Sequence, residues 1–302
     1  MANGDAVRIL VAPAPVRVRV VRTLWRSRRV PVIPLMILIL FIVVGVAAPW
    51  IAPHDPIRGK LQDRNLPPAW LEGGSTKFLL GTDELGRDLL SRVVHGARIS
   101  LIVASTVILV GNTIGVIIGL LSGWYGRWVD EFCMRLVDIK LAIPTILLAL
   151  VLVLALGQTF ILIVGVIAIT IWPRIARNVR GEVLRLKTMD YVALARVAGA
   201  STPRILAVHI FPGVVNTLIV LTTLEIGIVI LLESTLSFLG AGVPPPTPAW
   251  GLMVAEGRER LAVAWWISTM PGLAILLVVL AANLFGDWLR DALDPKLRQA
   301  QR

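Results

Sequence analysis

Long uncharged apolar runs alternate along the chain with short charged interruptions, and the length of each run decides what it can form. At about 1.5 Å per residue, roughly 20 apolar residues in a helix cross a hydrocarbon core about 30 Å thick. The run from Val30 to Pro53 predicts a first span over residues 30–53, and residues 54–98 then form a polar loop. Ile99 to Gly126 predicts a second span. From Leu141 to Pro173 the chain is again uncharged, but one helix of that length would reach about 50 Å, too far for a single crossing. A turn is therefore expected at Gly157-Gln158-Thr159, dividing a third span (about Met134 to Leu156) from a fourth (about Phe160 to Asn178) that is kinked near Pro173. A fifth span covers Gly213 to about Leu239 and a sixth about Ala264 to Trp288, with a proline-rich loop from Gly240 to Gly251 after the fifth.

Composition agrees with that pattern. Of 302 residues, 56% are apolar and 16% charged, and the mean hydropathy is +0.80. This is far from the composition of soluble globular chains and implies an all-α polytopic membrane protein of six transmembrane helices. The formal charge of +11 would suit nucleic acid if it were gathered in one domain, but it is spread over the edges of the apolar runs. Arg17, Arg19, Arg22, Arg26, Arg28 and Arg29 crowd the basic segment 1–29, and Arg290, Lys296, Arg298 and Arg302 mark the tail 289–302. With both termini, the loop at Arg127 and the segment Arg174 to Pro212 on one side, that side holds twenty basic and seven acidic residues; the other holds nine and eight. Insertion rules then place both termini in the cytoplasm, the 54–98 loop outside, and lipid, not nucleic acid, around the chain. The first apolar run is too long for a signal-peptide core, so it is expected to remain as a span. Cys133 is the single cysteine, which excludes an internal disulfide and a cysteine-rich metal site.

The five-span core, residues 99–288, is interrupted by a basic hairpin, residues 179–212. Tyr191, Leu194, Ala195 and Ala198 follow helical spacing and make one apolar face, leaving Asp190, Arg196, Arg185 and Lys187 wet. Gly199 should stop that helix; Thr202 is expected to cap a second short helix with Pro203 at its first position, running through Ile205, Leu206, Val208 and Phe211 and closed by Pro212. An amphipathic hairpin between two spans suits a soluble partner, although an ordinary interfacial helix has the same local pattern. In the second span Gly111, Gly115, Gly119 and Gly123 recur every four residues, a flat strip that lets another helix approach closely.

The order Tyr191-Val-x-x-Ala195-Arg196-x-x-Gly199-Ala200, followed by His209-Ile-x-Pro212, resembles the "EAA" loop of integral membrane subunits of bacterial ABC importers. Ala193 stands at the family's glutamate and Leu194 at its first alanine, so Ala195 alone remains of that triad. Two further stretches, Leu80 to Leu101 (Leu-Gly-Thr-Asp-Glu-Leu-Gly-Arg-Asp at its start) and Glu233 to Gly251 (Glu-Ser-Thr-Leu-Ser-Phe-Leu-Gly-Ala-Gly-Val-Pro-Pro-Pro), resemble the C-type permease of dipeptide, oligopeptide and nickel importers. The resemblance covers roughly residues 30 to 295. It implies a type I ABC importer permease fold in the bacterial inner membrane, working beside a homologous B-type permease subunit, two cytoplasmic ATPase subunits and an extracytoplasmic binding protein. It also implies ATPase-coupling roles for Tyr191, Leu194, Ala195, Arg196, Gly199, Ala200 and Pro212. ATP and magnesium would then sit on the ATPases, with no cofactor on this chain.

Charges inside spans are costly enough to be read first as functional. Glu225, midway along the fifth span without a local cation, is expected to face a water-filled pathway or a partner subunit. Glu233, nearer the outer end, is placed to meet substrate or water, and Asp138 to pair with Arg135 three residues away. Catalytic chemistry is sparse. No Gly-x4-Gly-Lys-Ser/Thr phosphate loop occurs; His54, His95 and His209 are scattered through loops without metal-ligand spacing; and Ser122 lacks a base. An enzyme is thereby disfavoured, and the alternative from another class is a secondary transporter or channel driven by an ion gradient through Glu225.

Overall fold

A computed structural model describes residues 30–293, so the N-terminal arginine cluster and the end of the tail lie outside the described residues. Every extended element within them is helical. Four helices, α1 (Val32–Ile51), α2 (Leu89–Tyr125), α5 (Phe160–Leu186) and α10 (Trp266–Leu293), are long and apolar enough to cross a membrane, as is the continuous helical run Thr202–Phe238. A sixth crossing is supplied by α3 (Arg127–Ala142) and α4 (Thr145–Leu156) if that pair, bent by 89°, counts as one span.

The bend corrects the expectation of a straight third span from Met134. Pro144 carries no N–H and disfavours helical backbone in the residue before it. Ile143 accordingly lies extended at φ −90°, ψ 125°. Charge had marked residues 127–131 as loop, yet they open α3, because Asp130, Asp138 and Lys140 find partners inside the chain. The second span starts at Leu89, not Ile99, since the Asp88 carboxylate accepts the Ser91 N–H at the helix start. Arg92, His95 and Arg98 therefore belong to the helix, and the loop ends at Asp88. At the other ends, α5 runs on to Leu186 with Pro173 inside it, and α10 to Leu293.

The longest seam joins α2 and α5. A Cβ on Gly111 would stand 2.5 Å from Ile171 Cγ1, and one on Gly115 2.7 Å from both Ile175 Cβ and the Trp172 carbonyl oxygen. On Gly119 it would meet Val179 Cβ and the Ala176 oxygen, and on Gly123 Val183 Cβ, again at 2.7 Å. Four bare positions on α2 thus receive four β-branched residues of α5 at the same four-residue interval.

Buried apolar side chains form two clusters. The larger lies between α1, α2, α4, α5, α8 (Phe211–Phe238), α9 (Trp250–Gly257) and α10. The smaller joins Ile175, Val179, Val183 and Leu186 of α5 to Val192, Ala195, Ile205, Ile210 and Val214. It lies at the hairpin end of the bundle, opposite the cap end that carries residues 52–88 and α9.

Candidate functional site

At the hairpin end, Lys187 follows α5 and the chain turns into α6 (Asp190–Val197). This helix ends in a Schellman turn. Gly199 adopts φ +77°, its N–H donates to the Arg196 carbonyl, and the Ala200 N–H reaches back to the Ala195 carbonyl at 3.0 Å. Ser201, not Thr202, occupies the capping position of α7 (Thr202–Arg204), with Pro203 one residue further in. The expected separate second helix does not exist. A π-helical turn, Ile205–Ile210, carries α7 straight into α8, so Pro212 lies in the first turn of that span and does not close the hairpin.

The face that packs inward is narrower than the apolar spacing implied. Val192 and Ala195 are buried, whereas Tyr191, Leu194 and Val197 are 44%, 66% and 88% exposed. Ala198 is exposed as well. A helix of eight residues with three large apolar side chains in the open has a ready-made contact surface. Its anchorage includes groups that sequence reading had left in water. Lys187 Nζ donates to the Gly123 and Trp124 carbonyls at 3.1 and 3.0 Å, and the Arg196 guanidinium stacks 4.4 Å from the centroid of the Trp124 ring.

Beside it, Asp130 accepts from Ser122 Oγ and from both Arg180 Nε and Nη2, the last at 2.6 Å, tying α3 to α2 and α5. Asp138 pairs across to Arg177 and not with Arg135, which sits 3.8 Å from Glu131. The turn from Glu131 to Arg135 is enough for that local pair, so Asp138 is free to hold α5. Lys140, which charge patterning had passed over, is buried and reaches Thr145 Oγ1 at 3.3 Å across the helix break.

The two acidic residues of α8 are enclosed by their own chain. Glu225 is 2% exposed with Oε2 unpartnered, and Glu233 is 1% exposed, accepting from Ser237 Oγ at 2.7 Å and from Ser234 Oγ. In this conformation neither opens onto a water-filled path or a free surface, the arrangement expected of them from position alone. His95 and His209 are likewise placed differently, in α2 and in the π-helical turn.

The cap end holds a quartet, three of its members buried and Glu256 half-buried, that sequence reading had scattered over a loop and a turn. Asp83 Oδ2 lies 2.6 Å from Arg87 Nε and 3.2 Å from Arg92 Nη1; Glu256 Oε2 lies 3.2 Å from Arg87 and 2.8 Å from Arg92. Arg92 is 1% exposed, and only matched carboxylates make such burial tolerable. Trp250 Nε1 donates to the Val93 carbonyl at 2.8 Å while its ring covers Gly96, and Trp266 Nε1 donates to the Thr82 carbonyl. The two stretches around residues 80–101 and 233–251 are thus one interlocked cap. Arg92 stands in the first turn of α2, ahead of the uncharged run that begins at Ile99, where no local pattern of residues signals burial.

Long apolar helices, a broken span and an ordered hairpin between the fourth and fifth crossings define a multi-pass membrane permease component. Residues 115–299 match the family described as "Binding-protein-dependent transport system inner membrane component", and the chain belongs to it. Residues 19–68 match the "N-terminal TM domain of oligopeptide transport permease C". The chain is 47% identical to the di/tripeptide transport system permease protein DppC of Pseudomonas aeruginosa, covering 88% of each chain. It is 44% identical to the dipeptide transport system permease protein DppC of Escherichia coli K12, over 96% of this chain and 97% of that one. Membership makes the protein an inner-membrane ABC transporter permease and not an enzyme; ATP hydrolysis falls to separate ATPase subunits.

Proposed function

We propose that this chain is one of two transmembrane subunits of an ATP-driven importer of short peptides, with the hairpin end in the cytoplasm and the cap end outside. The relatives belong to dipeptide and di/tripeptide transport systems, which supports the cargo. The excess of basic residues on the hairpin side supports the orientation. A homologous permease subunit completes the pathway, two ATPase subunits hold ATP and magnesium, and a binding protein delivers peptide to the cap. Closure of the ATPases moves the hairpin, and the spans rock between inward-open and outward-open states. Each state is stabilised by differential contacts with the partners.

The observation that carries this reading is the exposed row Tyr191, Leu194 and Val197 on a helix otherwise fixed to the bundle. With Ala193 in place of a carboxylate, the contact offered to an ATPase cleft is apolar. Leu194→Glu removes about 1.5–3 kcal/mol of burial and adds a desolvation cost, so ATPase affinity should fall at least about tenfold. Affinity purification of the membrane complex from cells co-expressing the partner ATPase subunits reads this directly. Full retention of the ATPases by Leu194→Glu would refute the docking assignment.

A further inference from the structure

The hairpin grips one helix through polar groups, and that helix reaches the far side of the bundle. Lys187, at the C-terminal end of α5, places its ammonium on the Gly123 and Trp124 carbonyls in the last turn of α2, where the helix dipole is negative and carbonyls lack intrahelical partners. Arg196, whose carbonyl accepts the Gly199 N–H in the Schellman turn of α6, lies over the Trp124 ring. Two cations from the two ends of one connection thus converge on Trp124. Gly123 is buried against Val183, so this end of α2 is also the last rung of the glycine seam.

The opposite end of α2 is fixed as well. Arg92 forms ion pairs with Asp83 and Glu256, the Val93 carbonyl takes the Trp250 N–H, and Gly96 lies against the Trp250 ring. Between these ends α2 is one unbroken helix, Leu89–Tyr125, without an internal proline. A straight helix of that length is about 55 Å long. The other spans are interrupted or less tied: α3 and α4 bend by 89°, α5 contains Pro173, α10 contains Pro271, and α8 is entered through a π-helical turn.

From these contacts we infer that Lys187 and Arg196 are positioning residues that fasten the hairpin to α2, making α2 the rod that carries hairpin displacement to the α9 cap. The inference rests on the proposed ATPase docking at the hairpin and adds the route taken beyond it. Lys187 and Arg196 touch the permease bundle, whereas Tyr191, Leu194 and Val197 are left for the ATPase. Fastening and docking can therefore be broken separately.

The test uses the complete transporter in proteoliposomes, with Cys133→Ser as background and spin labels at Tyr125 and Ala198, both exposed and outside the docking row. If hairpin and α2 move together, the label distance in the otherwise unsubstituted protein is the same in nucleotide-free and ATP-trapped states. In Lys187→Met with Arg196→Gln it changes between those states by about 5 Å, one helical turn. Peptide taken up per ATP hydrolysed falls about tenfold in that variant while ATPase co-purification is unchanged, and Lys187→Arg alone restores the ratio. A distance that already shifts by a turn without the substitutions overturns the inference. So does a doubly substituted transporter with the original uptake ratio. Leu194→Glu, by contrast, tests docking: ATPase retention in that variant would sink the hairpin reading itself.

Discussion

The glycine seam yields the most quantitative prediction. At Gly115 a methyl group would stand 2.7 Å from the Trp172 carbonyl oxygen and from Ile175 Cβ, and ordinary contact begins at 3.4 Å. The helices would have to separate by the difference, 0.7 Å. A gap of that size forfeits a quarter to a half of the dispersion well for each facing pair, and overpacking of this kind costs about 1–3 kcal/mol. Gly119 has the same character, because the Ala176 carbonyl oxygen lies 2.7 Å from the added carbon. Gly111 is as tight: Ile171 Cγ1 and Cδ1 lie 2.5 and 2.7 Å from the added carbon, and Cγ1 of a β-branched side chain moves only with a stiff χ1. Gly165 in α5 has nothing within 4 Å and serves as the control. Thermal unfolding of purified single-alanine variants in detergent should rank Gly111→Ala, Gly115→Ala and Gly119→Ala below Gly165→Ala, which should lie at or slightly above the unsubstituted protein. A Gly115→Ala midpoint equal to that of Gly165→Ala would refute the close-approach explanation of the seam.

The remaining predictions separate buried from exposed electrostatics. Arg92→Met leaves Asp83 and Glu256 with Arg87 alone in a largely closed site and should loosen the cap by about 3–5 kcal/mol, read as faster hydrogen exchange across residues 80–96 and α9. Arg177→Gln breaks a pair whose side chains are more than half exposed and should change the unfolding midpoint by less than about 1 kcal/mol equivalent. Arg180→Gln strips a bidentate partner from the better-covered Asp130 and should cost more, about 1–3 kcal/mol in the same assay. Ser237→Ala removes a 2.7 Å donor from enclosed Glu233 and should cost about 1–3 kcal/mol, while Thr235→Ala, on a half-buried residue whose hydroxyl bonds the Leu231 carbonyl of its own helix, should cost less than about 1 kcal/mol.

Apolar run lengths made most crossings legible, because the bilayer imposes them whatever the packing. The turn at Gly157 was readable for a local reason, a glycine at φ +98° followed by Thr159, whose hydroxyl accepts the Leu162 N–H. What stayed hidden depended on contacts between distant residues. Arg92 and Glu256 are 164 positions apart, and no local pattern announces that both are needed to bury either. The same blindness put Asp138 with Arg135, its helical neighbour, when Arg177 of another helix holds it. In the hairpin, helical spacing gathered Tyr191, Leu194 and Ala195 onto one face, but which edge of that face turns inward is set by the small cluster around Val183 and Ile210. Lys187 read as solvated for a related reason: its acceptors are main-chain carbonyls, which every residue has and no pattern of residue types reveals.

Coupling through the hairpin is tested most directly by the number of peptides imported per ATP hydrolysed in proteoliposomes that hold the whole transporter and its binding protein. Gly199 sits at φ +77°, out of reach of a proline ring fixed near −65°, and its surroundings are otherwise open, so Gly199→Pro disturbs the hairpin turn and little else. The account predicts that this variant inserts normally and that ATP is still hydrolysed while dipeptide uptake per ATP falls at least about tenfold. Uptake per ATP equal to that of the unsubstituted transporter would contradict it.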